Sequence, residues 1–203
     1  METLLVLHTS LNGDASLSST LASGYVERWR REHPDGRVVE RDLAAEPVPH
    51  LTAERFAAFG KDPAELSREE AGWVAESDRL IAELKDADEI VVALPMYNFG
   101  IPSTLKAWID HVARAGKTFR YTQAGPQGLV TAGRAVVFAT RGGRYVGTAL
   151  DTQTGYVKNV LGFFGVDDVR FVYAEGTAMG EQALQAAIDE ACEQLDTVMA
   201  EAA

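Results

Sequence analysis

Residues 89–116 read EIVVALPMYNFGIPSTLKAWIDHVARAG, and the way that stretch divides decides the fold. EIVVAL, at 89–94, is a short, nearly continuous apolar run rich in β-branched residues, the pattern of a strand buried on both faces. From Ser103 the period changes. Leu105, Trp108, Ile109, Val112 and Ala113 fall at i, i+3, i+4, i+7 and i+8, one face of a helix that Ser103 is expected to cap and Gly116 to end. Between the two lies PMYNFG, a connecting loop that carries a methionine and two aromatics where polar residues are the norm.

Working outward, LLVLH (4–8), RVVER (37–41), RAVVFAT (134–140) and VRFVYA (169–174) repeat the buried-strand pattern. Helical patterns run over about 18–33, over about 67–85, where Ser67 and Glu70 form a capping box, and over about 180–201, where Leu184, Ala187, Ile188, Ala191, Leu195 and Val198 share a face. Strands alternating with helices imply right-handed crossovers and a parallel sheet covered on both faces. Five such strands predict a single doubly wound α/β domain over 1–203, with the flavodoxin-like order 2-1-3-4-5. One connection is too long for a plain crossover. Residues 45–66 add three prolines and a short helical piece at about Thr52–Phe59, an excursion expected to form a lid over a site or a wall of a subunit interface, the alternative being a packed surface subdomain.

Of the 203 residues, 46% are hydrophobic and 24% charged, the balance of a soluble globular protein. A formal net charge of −11 with no basic stripe argues against a nucleic-acid binder. The single cysteine, Cys192, excludes an intramolecular disulfide and a Cys-rich metal site and fits a reducing compartment. Four residues after Ile188 in the last helical pattern, it is expected to pack as a small hydrophobe. The apolar run at Leu4–Leu7 is too short for a signal peptide and nothing later is long enough to span a bilayer, so the expected location is cytoplasmic. His8, His33, His50 and His111 share no metal-ligand spacing, and no metal is expected; His111 reads as a solvated or capping residue.

In a doubly wound sheet, ligands bind at the carboxyl ends of the strands, so the loops after the first, third and fourth strands should meet at one crevice. The first, HTSLNGDASLS at 8–18, lacks both GxGxxG and GK[ST]. It places Ser10, Ser16 and Ser18 at a helix N-terminus, where free N–H groups and the helix dipole favour an anion, although such serines also serve simply as caps. In the third-strand loop, Pro95, Asn98, Gly100 and Pro102 exclude regular structure and leave Met96, Tyr97 and Phe99 as an apolar wall. After the fourth strand, the Gly142-Gly143 pair lets the backbone approach a planar ligand, or makes an ordinary turn. A phosphate pocket, a glycine pair and an apolar wall at one sheet edge together describe a flat ring with a phosphate tail, flavin mononucleotide (FMN).

On PMYNFGIPSTLKAWIDHVARAGKTFRYTQAGPQGLV, together with VERDLAAEPVP, the Thr-Arg-Gly-Gly loop, LGFFGVDDVRFVYAEG and Ser-x-Ser at 16–18, the chain resembles the FMN-dependent NADH-azoreductases and NADH:quinone oxidoreductases over nearly its whole length. The resemblance implies that Ser10, Ser16, Leu17 and Ser18 bind the FMN phosphate. It assigns Pro95, Met96, Tyr97, Asn98 and Phe99 to the isoalloxazine and ribityl chain, and Thr140, Arg141, Gly142 and Gly143 to the pyrimidine edge. It further implies a homodimer with the active site at the interface, where Phe99, Tyr121, Tyr145 and Phe163 line the substrate side. Three positions bear on the pattern: Leu17 stands where the family often has Gln, Thr140 where Ser and Thr both occur, and Tyr145 where a His is common.

The implied chemistry is ping-pong hydride transfer, from NAD(P)H to flavin N5 and then, on the same face, to an acceptor. A quinone needs one turn, an azo bond two turns to give two amines, and no catalytic side chain is required. The backbone N–H groups of Gly142 and Gly143 are expected to face the charge that develops at flavin N1 and O2. Arg141 is expected to bind flavin or to pair with an acid, Glu175 to serve the site or a helix end, and one of Phe163 and Phe164 to reach the pocket. The alternatives are a flavodoxin-like one-electron carrier, whose Thr/Ser-x-Thr-Gly-x-Thr phosphate loop is missing here, and a cofactor-free interaction module.

Overall fold

The computed structural model describes residues 1–200, apart from the Asp14 side chain. The five predicted runs form β1 (Thr3–His8), β2 (Arg37–Asp42), β3 (Glu89–Pro95), β6 (Arg134–Arg141) and β7 (Val169–Glu175), with a hairpin of β4 (Phe119–Thr122) and β5 (Gly125–Gly128) inserted before β6. The main sheet is parallel throughout, in the order β2-β1-β3-β6-β7, which is the expected 2-1-3-4-5. The helices are α1 (Leu17–Glu32), α2 (Ala53–Ala58), α3 (Arg68–Asp86), α4 (Ser103–Val112), α5 (Thr152–Phe164) and α6 (Glu181–Ala200); Glu201, the predicted end of the last one, lies outside the described residues.

Because side chains alternate across a strand, each buried strand feeds two cores. Leu4, Val6, Val91, Ala93, Val136 and Phe138 pack against α1 and α6, with Tyr25, Trp29 and Leu195 among the contacts. Leu5, Leu7, Ile90, Val92, Leu94 and Val137 pack against α3, α4 and α5, with Leu84, Trp108 and Phe164. The helices thus leave the carboxyl ends of the strands free to hold a site.

Several expectations need correction. Ser103 does not cap α4 but is its first residue; the N-cap position falls to Pro102, whose fixed φ presets the entry, and no side-chain cap forms. The helix ends at Val112, with Gly116 (φ 78°) four residues beyond. Cys192 is exposed, because Ala191 and Leu195 occupy the buried face of α6 and a neighbouring position is turned away by about 100°. His111 is fully buried rather than solvated: its Nδ1 lies 2.9 Å from the Ala107 carbonyl, and its ring meets Phe59 edge-on.

The excursion at 45–66 folds α2 onto α3, held by the Arg55–Glu76 ion pair at 2.9 Å and by Arg114 stacked over the Phe59 ring. Its start comes nearest the strand ends, where His50 lines a cleft with Phe99 and Tyr156. The Ser67–Glu70 capping box forms as read. Two elements carried no expectation, α5 and the β4–β5 hairpin. TQTGYVKNVLGFF is poor in strong helix formers and is helical because Val157, Leu161 and Phe164 bury one face; GPQG reads as a turn until it pairs with FRYT. Among the described residues no helix is long and apolar enough to cross a membrane.

Candidate active site

Strand register brings the three loops together. His8 ends β1 opposite Ala93, and Pro95 ends β3 opposite Thr140 on β6. The Tyr97 hydroxyl lies 3.2 Å from Ser10 Oγ and accepts from the Leu11 N–H at 3.0 Å. On the other side, the Met96 N–H donates to the Thr140 carbonyl at 2.9 Å. A cleft of about 490 Å³, in the range that holds a small organic ligand, is lined by Leu11, by Met96, Tyr97 and Asn98, and by residues 101–104 at the start of α4.

The centre of the PMYNFG loop is a tight turn in which Tyr97 and Gly100 exchange backbone bonds of 3.1 and 2.9 Å. Asn98 (φ 50°) and Phe99 (φ 61°) both occupy the left-handed region, the requirement of a type I′ turn. Asn tolerates that conformation, whereas a bulky aromatic does so at a cost of about 1–2 kcal/mol. Phe99 is nevertheless 50% exposed and meets the Tyr145 ring edge-on at 5.6 Å. A costly backbone thus presents a large aromatic to solvent beside the cleft, an arrangement that packing alone does not explain.

At the first loop, Ser16 is the N-cap of α1: its Oγ accepts from the Ser19 N–H at 3.3 Å and lies 3.0 Å from Ser18 Oγ. Both serines are buried, as is Ser10, whose Oγ accepts from the Asn12 N–H at 3.2 Å. Leu17 packs its side chain on the α1 and α6 core, so it has only backbone to offer a ligand.

In the third loop the Arg141 side chain takes the second of its two expected roles, pairing with acids. Its guanidinium is fully buried, 2.8 Å from Asp151 Oδ1, 3.2 Å from Glu175 Oε1 and 3.1 Å from Thr154 Oγ1, with Tyr173 beneath it at 5.1 Å. It therefore faces the protein interior, and only the Arg141 backbone can face the crevice. Burial pushes the Asp151 carboxyl up, but the Arg141 guanidinium and Thr154 outweigh it and hold it below the usual carboxylate range; burial pushes the Tyr173 hydroxyl up. Glu175 Oε1 also accepts from the N–H groups of Tyr145 and Val146, at 2.7 and 3.0 Å, so it holds the loop rather than a helix end. The carbonyls of Arg141, Gly142 and Gly143 are tied to residues 176–178, while no partner among the described residues takes up the N–H groups of Gly142 and Gly143. A Cβ at Gly143 would sit 2.6 Å from the Tyr145 hydroxyl, so a side chain there would displace the end of the Tyr145 ring.

Ser10, Ser16, Ser18, residues 95–99, residues 140–143 and Tyr145 thus share one edge. Tyr121 and Phe163 do not. They are linked through Phe119, with ring centroids 5.4 and 4.2 Å away, and Phe163 lies roughly 16 Å down α5 from Thr152 at the crevice. Tyr121 is 75% exposed.

The donor set fits a phosphorylated flat ring: neutral hydroxyls at a helix N-terminus, an apolar wall, and a rigid backbone edge. Among the described residues no cluster suited to a metal ion occurs. Sequence reasoning missed Asp151, Thr152, Gln153 and Thr154, which fix the loops from behind. Asp151 is the one with a signal, an N-cap residue whose side chain accepts from the Thr154 N–H.

The pattern of a family of flavodoxin-like fold matches residues 2–199. An FMN-dependent NADH:quinone oxidoreductase of Azotobacter vinelandii is 46% identical over 198 residues, covering 98% of this chain and all of that protein. One from Cellvibrio japonicus is 50% identical over 182 residues, 90% of this chain and 92% of its own. The solved FMN-dependent NADH-azoreductase of Bacillus anthracis, in complex with FMN, superposes with a TM-score of 0.86 at 27% identity, covering 98% of this chain and 99% of that one.

Proposed function

The chain belongs to that family of flavodoxin-like fold, and from this premise we propose that it is an FMN-dependent NADH:quinone oxidoreductase that also cleaves azo compounds reductively. The observation that carries the proposal is the strained Tyr97–Gly100 turn, which sets the Tyr97 hydroxyl against the Ser10–Leu11 loop that leads into the α1 N-terminus and leaves the Phe99 ring exposed beside Tyr145. The names of relatives at 46–50% identity support the same reading.

Ser10, Ser16, Ser18 and the Leu17 backbone bind the phosphate. Pro95, Met96, Tyr97, Asn98 and Phe99 wall the ring, and the backbone of Thr140, Arg141, Gly142 and Gly143 meets its polar edge. When bound, the flavin supplies two-electron hydride exchange between NADH and the acceptor. The N–H groups of Gly142 and Gly143 favour negative charge at that edge, and Phe99 and Tyr145 position the nicotinamide and the acceptor in turn over one wall. That shared wall makes the kinetics ping-pong. Tyr121 and Phe163, too distant to reach the site of their own chain, complete it from a second copy, so that the active unit is a homodimer. The unit is one domain, with the 45–66 excursion walling the interface, and it works in the cytoplasm, where NADH is supplied.

The test is direct: purified protein is mixed with FMN, then anaerobically with NADH, then with benzoquinone, while the flavin absorption band is followed. Bleaching and stoichiometric recovery, with parallel initial-rate plots, is the expected result. Failure to bind FMN overturns the proposal, and slow one-electron recovery without turnover points to a carrier.

A further inference from the structure

The turn that carries Asn98 and Phe99 is not self-supporting: its central backbone is strained, and its two hydrogen bonds are those of any tight turn. The first turn of α5 lies behind it. Thr152 Oγ1 donates to the Phe99 carbonyl. Gln153, fully buried, donates from Nε2 to the Pro95 carbonyl at 3.0 Å and to the Gly100 carbonyl at 2.9 Å. One amide thereby joins the end of β3 to the far end of the turn and fixes the separation across residues 96–99. The orientation of the amide is dictated by its partners, since the reverse would set its oxygen against two carbonyl oxygens.

A second observation distinguishes this contact from ordinary packing. The other end of the same amide, Gln153 Oε1, is buried and has no hydrogen-bond partner among the described residues. An unsatisfied buried acceptor is costly, and that cost is set against the two hydrogen bonds made by the other end of the amide. What the amide delivers is two donors aimed at the turn.

We propose that Gln153 is a positioning residue for flavin binding: it holds the Pro95–Gly100 segment in the strained conformation that forms the wall of the site. The inference rests on the FMN reading above. Without the amide, the segment populates unstrained conformations, and FMN must select the competent one, so that its affinity falls by the fraction lost.

The experiment titrates FMN into wild-type, Gln153→Leu and Gln153→Glu apo-protein by quenching of flavin fluorescence, at several pH values. If the wild type binds no FMN, the flavin reading itself fails; with wild-type binding in hand, the variants address Gln153 alone. Gln153→Leu is expected to weaken FMN about ten- to a hundredfold. Gln153→Glu has one donor when protonated, enough for one of the two carbonyls, and when ionised opposes both; its FMN affinity should exceed that of the leucine variant at the acidic end and fall as pH rises, while the wild type stays flat. Wild-type affinity in the leucine variant, or a loss in the glutamate variant that does not change with pH, overturns the proposal. Should neither variant fold, nuclear magnetic resonance of the wild type decides. The Gln153 side-chain amide protons should exchange slowly and slow further with FMN; exchange at the solvent rate overturns the inference.

Discussion

Phe99 stands at a turn position that favours glycine, with φ at 61°. Phe99→Gly should relieve strain in the folded state and add freedom to the unfolded chain, two opposed effects that leave the unfolding free energy within about 1 kcal/mol of wild type. Quinone kcat/KM should nevertheless fall by about tenfold or more, because the exposed ring beside Tyr145 is gone; denaturant titration and steady-state kinetics on the same preparation check both halves. Ser16 and Ser18 are buried side by side, 3.0 Å apart, at the start of α1. Replacing both with Ala should weaken FMN more than riboflavin, which lacks the phosphate, by about tenfold in the ratio of dissociation constants. Equal losses for the two flavins would remove the phosphate from this loop.

Among the elements, β6, β7 and the start of α5 are joined by one buried cation. Arg141 pairs with Asp151, which caps α5, and with Glu175, which ends β7 and holds the Tyr145 and Val146 N–H groups. Arg141→Met leaves two largely buried carboxylates unpaired and should cost about 3–5 kcal/mol of stability, read by urea unfolding. The Asp151 carboxyl has its pKa lowered in the fold. Its pairing therefore contributes fully above the unfolded value near pH 4 and is lost as pH falls through the lower folded value. The stability gap between wild type and Arg141→Met should be flat from about pH 5 to 8 and should narrow below about pH 4. The sequence pattern supported a flavin role for Arg141 as well as an acid partner; a strand-end arginine next to two glycines looks alike in both cases, and only the positions of Asp151 and Glu175, ten and thirty-four residues further on, separate them.

For the whole molecule, the distance of Tyr121 and Phe163 from their own crevice predicts a site shared between two copies. Sedimentation should give twice the chain mass. Mixing the Ser16→Ala/Ser18→Ala protein with a Tyr121→Ala/Phe163→Ala protein under exchange conditions should restore up to about a quarter of wild-type turnover, through hybrid dimers with one intact site. No recovery would place those aromatics outside the site.

The sequence by itself determined the sheet order, both helix layers and the three loops at the strand ends, because buried parallel strands and amphipathic helices are written as local periodicity, and turn residues such as Asn98 and Gly100 announce themselves. It also singled out the loop that the fold sets at the carboxyl end of β3. Only the tertiary structure turned the Arg141 side chain inward, set Cys192 outside, paired FRYT with GPQG, and placed Gln153 behind the Pro95–Gly100 turn. Each of those depends on which residue, distant along the chain, arrives at a given point in space, and a contact of that kind leaves no period in the residues that make it.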